Sequence, residues 1–373
     1  MIEGHATSEG TEEFIKKQVD VNTENFRKIH GLSLSNVGVG TYLGNPDEPT
    51  DELVKNAVKA SIIAGINVID TAINYRAQKA ERSVGKAISE LISEGKVKRN
   101  QIFISSKNGY VTNDGDIKED FWEYVNREYV SKGVIQANDI SSGYHCMAIP
   151  YLEEQLERSR KNLGLECIDL IYLHNAVEGQ FKDVSREEFI KKLRLAFEFY
   201  EVKRKEGKIR YYGMATWECF RVEKDNPQFL ELSDVVTLAK EVGGEDHGFR
   251  FIQLPYNMYL DQAMMIKNQS FDGKADTILQ SAKYHNIGVF TSVPLMQAKL
   301  LSPGVMPEFG ELKPSLRALQ FTRSTPGILA PLVGHKIEQH VQENVEIMKI
   351  KPIPEKEFFD LVKKLTSSMP NKN

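Results

Sequence analysis

The chain has 373 residues, 41% hydrophobic and 27% charged, with 48 basic and 52 acidic side chains and a net charge of −4. That balance offers no basic field to a nucleic acid or a lipid phosphate, and no apolar run approaches the roughly 18 residues of a membrane span. The length suits one large α/β domain or two smaller ones.

The acidic opening, "MIEGHATSEGTEEF", has neither the apolar core of a secretory signal nor the arginines of a transit peptide. Residues 1–25 therefore read as an extension, and a cytoplasmic location is expected. Strand-like runs follow at 36–41, 66–70, 101–107, 167–174, 208–216, 249–256, 287–293 and 328–334. Amphipathic segments lie between them. One is predicted over 51–65, and another over 150–165, with Pro150 in its first turn and Gly164 at its end. Several strands are almost continuously apolar, as strands buried on both faces of a parallel sheet are. Eight βα units without a break in composition predict one (β/α)8 TIM barrel over 26–373.

Two stretches exceed the repeat, and in a barrel both fall on the C-terminal rim, where barrel active sites are built. Residues 216–248 follow strand five. Residues 108–147 follow strand three and carry Tyr110, Phe121, Trp122, Tyr124, Tyr129 and Tyr144. So aromatic a loop is either a pocket wall, with Tyr110 and Trp122, and Tyr42 after strand one, as candidates to touch a substrate, or a satellite core. Cys146, Cys167 and Cys219 are far apart with no C-x-x-C pair, which predicts inert buried thiols in a reducing compartment. No cluster of metal-ligand type is visible, so no metal is expected.

Polar residues at the strand ends carry the chemistry. Strand two ends at Asp70, strand three at Lys107 and strand four at His174, and Tyr75 opens the connection after strand two. Singly these read as a helix cap, a solvated strand end, a core histidine and a half-buried aromatic. Together, on adjacent strand ends, they read as a catalytic group.

On these residues the chain resembles the aldo-keto reductases, from about Phe26 to about Ile350. "FRKIHGLSLSNVGVGT" is similar to that family's opening hairpin and first strand, "DTAINY" to its D-T-A-x-x-Y signature, and "LERSRKNLGLECIDLIYLH" to the run into its active-site histidine. "LVGHKIEQHVQEN" is similar to its C-terminal nucleotide segment, in the form of the potassium-channel β-subunit branch. The resemblance implies reduction of an aldehyde or ketone, with NADP(H) preferred and NAD(H) possible. Tyr75 would give the proton, Lys107 and Asp70 would tune it, and His174 would orient the carbonyl. A nearby ammonium is expected to lower the phenol's pKa.

The same resemblance implies a cofactor site built from Gly40, Thr41, Asp70, Asn175, Thr216, Gln253, Ser292, Pro294, Leu295, Gln297, Gly334, Lys336, His340, Glu343 and Asn344. Gln253 would hold the nicotinamide amide, and "VPLMQAKLL", including Lys299, would follow the pyrophosphate. Gly334 would let backbone approach a phosphate at the N-terminus of a small helix. Lys336 and His340 would face the 2′-phosphate, and Glu343 and Asn344 the adenine. Three features depart from the family: Ala215-Thr216 replaces its Ser-Asn pair, Ser292 stands where an aromatic often stacks on the nicotinamide, and the long insertion follows strand three. The rival expectation is a nucleotide-binding redox sensor with little turnover. A metal-dependent barrel hydrolase would need a ligand cluster that is not there.

Overall fold

In a computed structural model that describes residues 1–368, eight parallel strands close into a barrel. Residues 369–373, the end of the expected 26–373 domain, lie outside the described residues. A hairpin comes first, β1 (Phe26–Ile29) against β2 (Leu32–Ser35). The barrel strands are β3 (Gly38–Gly40), β4 (Val68–Asp70), β5 (Phe103–Asn108), β6 (Ile168–His174), β7 (Ile209–Ala215) and β8 (Phe249–Pro255). A second hairpin, β9 (Gln269–Phe271) and β10 (Lys274–Asp276), precedes the last barrel strands, β11 (Gly288–Ser292) and β12 (Ile328–Gly334). β12 pairs with β3 and closes the ring.

Side chains alternate across each strand, and the alternation builds two cores. Val68, Phe103, Leu170, Tyr172, Phe251, Phe290, Ala330 and Leu332 pack together inside the barrel. Their neighbours Ile69, Ile104, Ile171, Ile252 and Val333 pack outward against the helices. Leu32 and Leu34 of the first hairpin join the inner cluster. Asn67, just before β4, fixes the hairpin: its Oδ1 accepts from Ser35 N at 2.8 Å and its Nδ2 donates to Ser33 O at 3.0 Å. The hairpin therefore plugs the N-terminal end, leaving the C-terminal rim open.

The helices carry the signals their sequences promised. The 51–65 segment is a helix over Glu48–Ile63, whose N-cap Asp47 accepts from Thr50 N at 2.9 Å. The 150–165 segment spans Ile149–Leu163 and ends on Gly164 at φ +67°, a left-handed cap that favours glycine. The extension is packed: a helix over Ser8–Lys16 buries Phe14, and Ala6 N donates to Asp169 Oδ1 at 2.6 Å.

The two long stretches differ. Within 216–248, Leu232–Gly243 is an ordinary barrel helix, so the extra connection is only 216–231. Residues 108–147 contain a short helix (Phe121–Val125) continuing into a π-helical turn (Asn126–Val130), and Val111, Tyr124, Tyr129, Ile135, Cys146 and Tyr151 form a small core of their own. The satellite-core reading of the aromatic insertion is the one the structure favours. All three cysteines are buried and unpaired. Among the described residues, no helix is long and apolar enough to cross a membrane, and no group of side chains has metal-ligand spacing.

Candidate active site

The alternation that fills the barrel also fixes what stands on its rim. Asp70 lies two residues beyond inward Val68, Lys107 four beyond Phe103, His174 two beyond Tyr172, and Gln253 two beyond Phe251. Ser292 and Gly334 end β11 and β12 in the same way. Period two sends all of them toward the barrel axis at its open end. There a cavity of about 760 Å³ opens, within the range of small-molecule sites.

At its floor, Lys107 is fully buried and donates to Asp70 Oδ2 at 2.5 Å and to Thr71 O at 2.8 Å. Asp70 Oδ1 accepts from Ser105 Oγ at 2.8 Å and from Gln253 Nε2 at 3.0 Å. The Lys107 ammonium sits 4.6 Å from the centroid of the Tyr75 ring. His174 meets Tyr75 edge-on at 5.8 Å and Tyr110 at 5.0 Å, and Tyr42 packs on Tyr75 at 5.0 Å. Neither the Tyr75 hydroxyl nor the His174 imidazole has a hydrogen-bond partner among the described residues, and both residues line the cavity.

Burial decides the protonation states. It raises the Tyr75 pKa well above the ordinary phenol value, and the Asp70 carboxylate adds to the rise, with smaller contributions from Tyr42 and Tyr110. The expected lowering by Lys107 is overturned, because removing a phenolate from water costs more than one paired ammonium returns. Burial also takes His174 well below its usual value, reinforced by the Lys107 charge and by His145, so its imidazole is neutral. Lys107 is itself lowered by burial, with Asp70 opposing.

His145, in the insertion, supports His174 from behind. Its own pKa is lowered by burial to about 4, so the ring is neutral. Nδ1 accepts from Gln180 Nε2 at 3.1 Å, which leaves Nε2–H to donate to His174 O at 2.8 Å.

The cavity continues from this floor across β11 and β12. Gly40, Thr41, Asn175, Thr216, Ser292, Pro294, Leu295, Gln297, Gly334, Lys336, His340, Glu343 and Asn344 all line it, with Tyr42 beside Tyr75 and Tyr110 beside His174. Several are already committed to protein partners. Asn175 Nδ2 donates to the Tyr110 hydroxyl at 3.2 Å, and the Gln253 amide nitrogen is held by Asp70. Glu343 accepts from Ser315 and, at 3.1 Å, from Lys313. Lys336 has no ion-pair partner among the described residues. The small helix runs over Glu338–Val345. A Cβ at Gly334 would meet nothing closer than 3.8 Å, so no protein neighbour demands the glycine.

Backbone strain gathers along the same wall. Val293, Met296, Gln297 and Ala298 all have left-handed φ, between +49° and +69°. For non-glycine residues that geometry persists only where the surroundings enforce it, and it concentrates at functional sites.

Lys107 lies beneath the floor without lining it, and two further candidates fall outside the cavity. Trp122 stacks on Tyr144 at 5.5 Å and is half-exposed, because Tyr124 and Val125 on the same short helix face the satellite core and turn Trp122 outward. Lys299 is exposed in a 3₁₀ turn beyond the strained segment. Conversely, the cavity includes Asn74, Trp217 and His335, which the sequence reading passed over. Trp217 and His335 stand next to Thr216 and Gly334, so the strand-end rule extended by one residue finds them. Glu178 holds the Trp217 turn, its Oε1 accepting from Trp217 N at 2.8 Å and Glu218 N at 2.6 Å.

A family model described as "Aldo/keto reductase family" matches residues 36–304. Among curated proteins, the uncharacterized oxidoreductase YtbE of Bacillus subtilis (strain 168) is 28% identical over 52% of this chain, and the match spans only about half, 50%, of YtbE. The uncharacterized oxidoreductase YqkF of the same organism is 22% identical over 88% of this chain and 91% of its own length. Among solved structures, an aldo/keto reductase from Klebsiella pneumoniae in complex with NADP and acetate superposes with a TM-score of 0.60 at 19% identity. That superposition covers 94% of this chain and 98% of the other.

Proposed function

The chain belongs to the aldo/keto reductase family, and from that premise we propose that it is an NADP(H)-dependent oxidoreductase that reduces an aldehyde or ketone to the alcohol. One observation carries the reading. Two unpartnered groups able to donate a proton or a hydrogen bond, the Tyr75 hydroxyl and the His174 imidazole, converge on one cavity beside a buried Lys107–Asp70 pair.

The nicotinamide cofactor, when bound, supplies the hydride. The remaining chemistry belongs to the chain. Tyr75 holds its proton firmly in the resting site and gives it to the carbonyl oxygen. Negative charge then develops on the phenol, and the Lys107 ammonium, 4.6 Å from the ring, stabilises it. Asp70 keeps that ammonium charged where burial opposes it. Neutral His174 donates from one ring nitrogen to the same oxygen and orients the carbonyl. Tyr42, Tyr110 and Trp217 wall the entrance with rings and exclude water.

The residues toward β12 fit a phosphorylated dinucleotide. Among the described residues, Lys336 offers a cation with no ion-pair partner, Gly334 leaves backbone uncovered, and the Asn344 Oδ1 atom is buried without a hydrogen-bond partner. The NADP in the Klebsiella structure supports this choice for a fold of the same kind. Loss of nicotinamide absorbance with a panel of aldehydes, ketones and sugars tests the activity. Tyr75→Phe is expected to lower kcat by roughly 10²–10⁴-fold, the usual loss of a general acid, with NADPH affinity nearly unchanged. Near wild-type turnover in that variant would remove Tyr75 from the mechanism, and wild-type protein that binds NADPH without oxidising it would favour the sensor role.

A further inference from the structure

Three residues in a row after Tyr75, namely Arg76, Ala77 and Gln78, hold left-handed φ of +51°, +51° and +71°. None is glycine. In each the Cβ crowds a backbone carbonyl, and such a run survives only where its surroundings over-determine it. The turn joins the end of β4 to the helix over Lys79–Ser93, and that helix start has no side-chain cap. Its geometry fixes where the Tyr75 hydroxyl stands.

What grips the turn lies mostly in the insertion. Gly115 N donates to Ala77 O at 2.9 Å, and Gln78 Nε2 donates to Asn113 O at 2.9 Å. Asp116 accepts from Lys79 Nζ and from Arg82 Nη1, both at 2.5 Å, and Asp114 accepts from Arg82 Nη2 at 2.6 Å. On the opposite side, Asp51 holds Arg76 at 2.7 Å and Lys79 at 2.8 Å, while Ser83 Oγ accepts from Arg76 Nη2 at 2.9 Å. Gly115 is pressed into the turn: a Cβ there would stand 2.8 Å from Lys79 Cδ and 3.3 Å from Ala77 O. The returning limb of the same insertion supplies His145, which holds the His174 backbone.

We propose that residues 112–117 are a brace that sets the Tyr75 phenol for proton transfer, with Asp114 and Asp116 as positioning residues. This rests on the reading of Tyr75 as proton donor. The insertion is thus a fixed support referenced to both groups that face the carbonyl, and its aromatic core gives the support its rigidity.

The experiment compares Asp114→Asn/Asp116→Asn, Asp116→Asn alone and Gly115→Ala with wild type and Tyr75→Phe. The Asp116 side chain is half-exposed, so its single replacement spares every core. Read out are kcat, KM for an aldehyde, the solvent deuterium isotope effect on kcat, NADPH Kd and the melting temperature. The double variant is expected to lose roughly ten- to a hundredfold in kcat, since small misplacements of a reacting group cost that much. Its isotope effect rises because proton transfer becomes limiting, and NADPH Kd stays near the wild-type value. The two single variants move the same way by less, and Asp114→Glu/Asp116→Glu recovers part of the loss. Wild-type kcat and isotope effect in these variants overturn the brace. So does a kcat loss that only tracks lost NADPH affinity and melting temperature, with the isotope effect unmoved. An active Tyr75→Phe sinks the underlying reading instead, whereas an inactive Tyr75→Phe beside fully active brace variants sinks the brace alone.

Discussion

The Lys107 ammonium has no contact with solvent, and its charge survives there because Asp70 and the Thr71 carbonyl surround it. Lys107→Met should abolish reduction and also destabilise the fold, because Asp70 would keep a buried charge without its cation, a loss on the order of 3–5 kcal/mol. Adding Asp70→Asn to that variant should restore much of the melting temperature and none of the activity. A Lys107→Met protein as stable as wild type would mean that the pair is not holding charge. Buried imidazoles set an acid limit, His145 and His335 among them. Both are lowered by burial to about 4, against about 6.5 in the unfolded chain. The unfolded state therefore binds more protons between those values, and stability falls as pH drops from about 6.5 towards 4. Each contributes up to roughly 3 kcal/mol across that window. His335 accepts from Asn344 Nδ2 at 3.3 Å and reaches Ser61 Oγ at 2.9 Å, so His335→Asn should visibly flatten urea midpoints measured from pH 7 to pH 4.5. An unchanged slope would assign the acid sensitivity elsewhere. At this scale the sequence was most legible where period two operates. Asp70, Lys107 and His174 could be placed on one rim because each ends an apolar run, whereas Gln253, inside its run, was reached only through the family resemblance. His145 could not, because it acts from the far end of an irregular loop. Nor was the direction of the Tyr75 shift readable, since burial outweighs any neighbour and burial is a property of the fold.

The elements divide along the same line. Strands and helices with strong periodicity or punctuation, such as β6 and the helix that ends at Gly164, were readable within a few residues. Loops whose shape depends on distant contacts were not. The hairpin β9–β10 turns on Asp272-Gly273, both left-handed, a dipeptide that signals such a turn, and it was passed over because its strands are only three residues long. The brace at 112–117 depends on ion pairs between positions more than thirty residues apart, which leave no local pattern. The wall at 293–298 was expected to meet the cofactor, but four left-handed residues without a glycine gave no warning in composition. That strain makes a prediction. Gln297 is exposed with φ +53°, so Gln297→Gly relieves a conformation that an L-residue adopts at a cost of roughly 1 kcal/mol. The variant should unfold at slightly higher urea while binding NADPH more weakly, because both its side chain and the pre-set loop contribute to the cavity wall. Weaker binding with no gain in stability would show that the loop is not strained; greater stability with unaltered NADPH affinity would separate the strain from the cofactor.

Across the whole molecule, the cavity runs from Asp70 on β4, Tyr75 after it and His174 on β6 to the segment after β12, which lies next to β3 in the closed ring. A ligand spanning it would touch both ends of the chain's order and tie together elements that are adjacent only through barrel closure. Its binding should therefore raise the stability of the entire barrel, by an amount set by its concentration over its dissociation constant: about 2.7 kcal/mol at a hundredfold excess. The difference between NADPH and NADH at equal concentration then reports the contacts to the 2′-phosphate alone. Under the proposed assignment that contact is made by Lys336, which lines the cavity and has no ion-pair partner among the described residues, and a charge-assisted bond of this kind contributes about 1.5–3 kcal/mol, a ten- to hundredfold preference. His340 is exposed on the same wall, whereas Glu343, held by Ser315 and Lys313, is turned to neighbours that leave its charge partly neutralised. NADPH should thus raise the melting temperature by several degrees more than NADH. Lys336→Ala should bring the two curves close together while leaving the cofactor-free melting temperature unchanged, since Lys336 makes no ion pair among the described residues. Equal shifts from both cofactors in wild type, or a Lys336→Ala variant that still separates them fully, would move the 2′-phosphate away from Lys336.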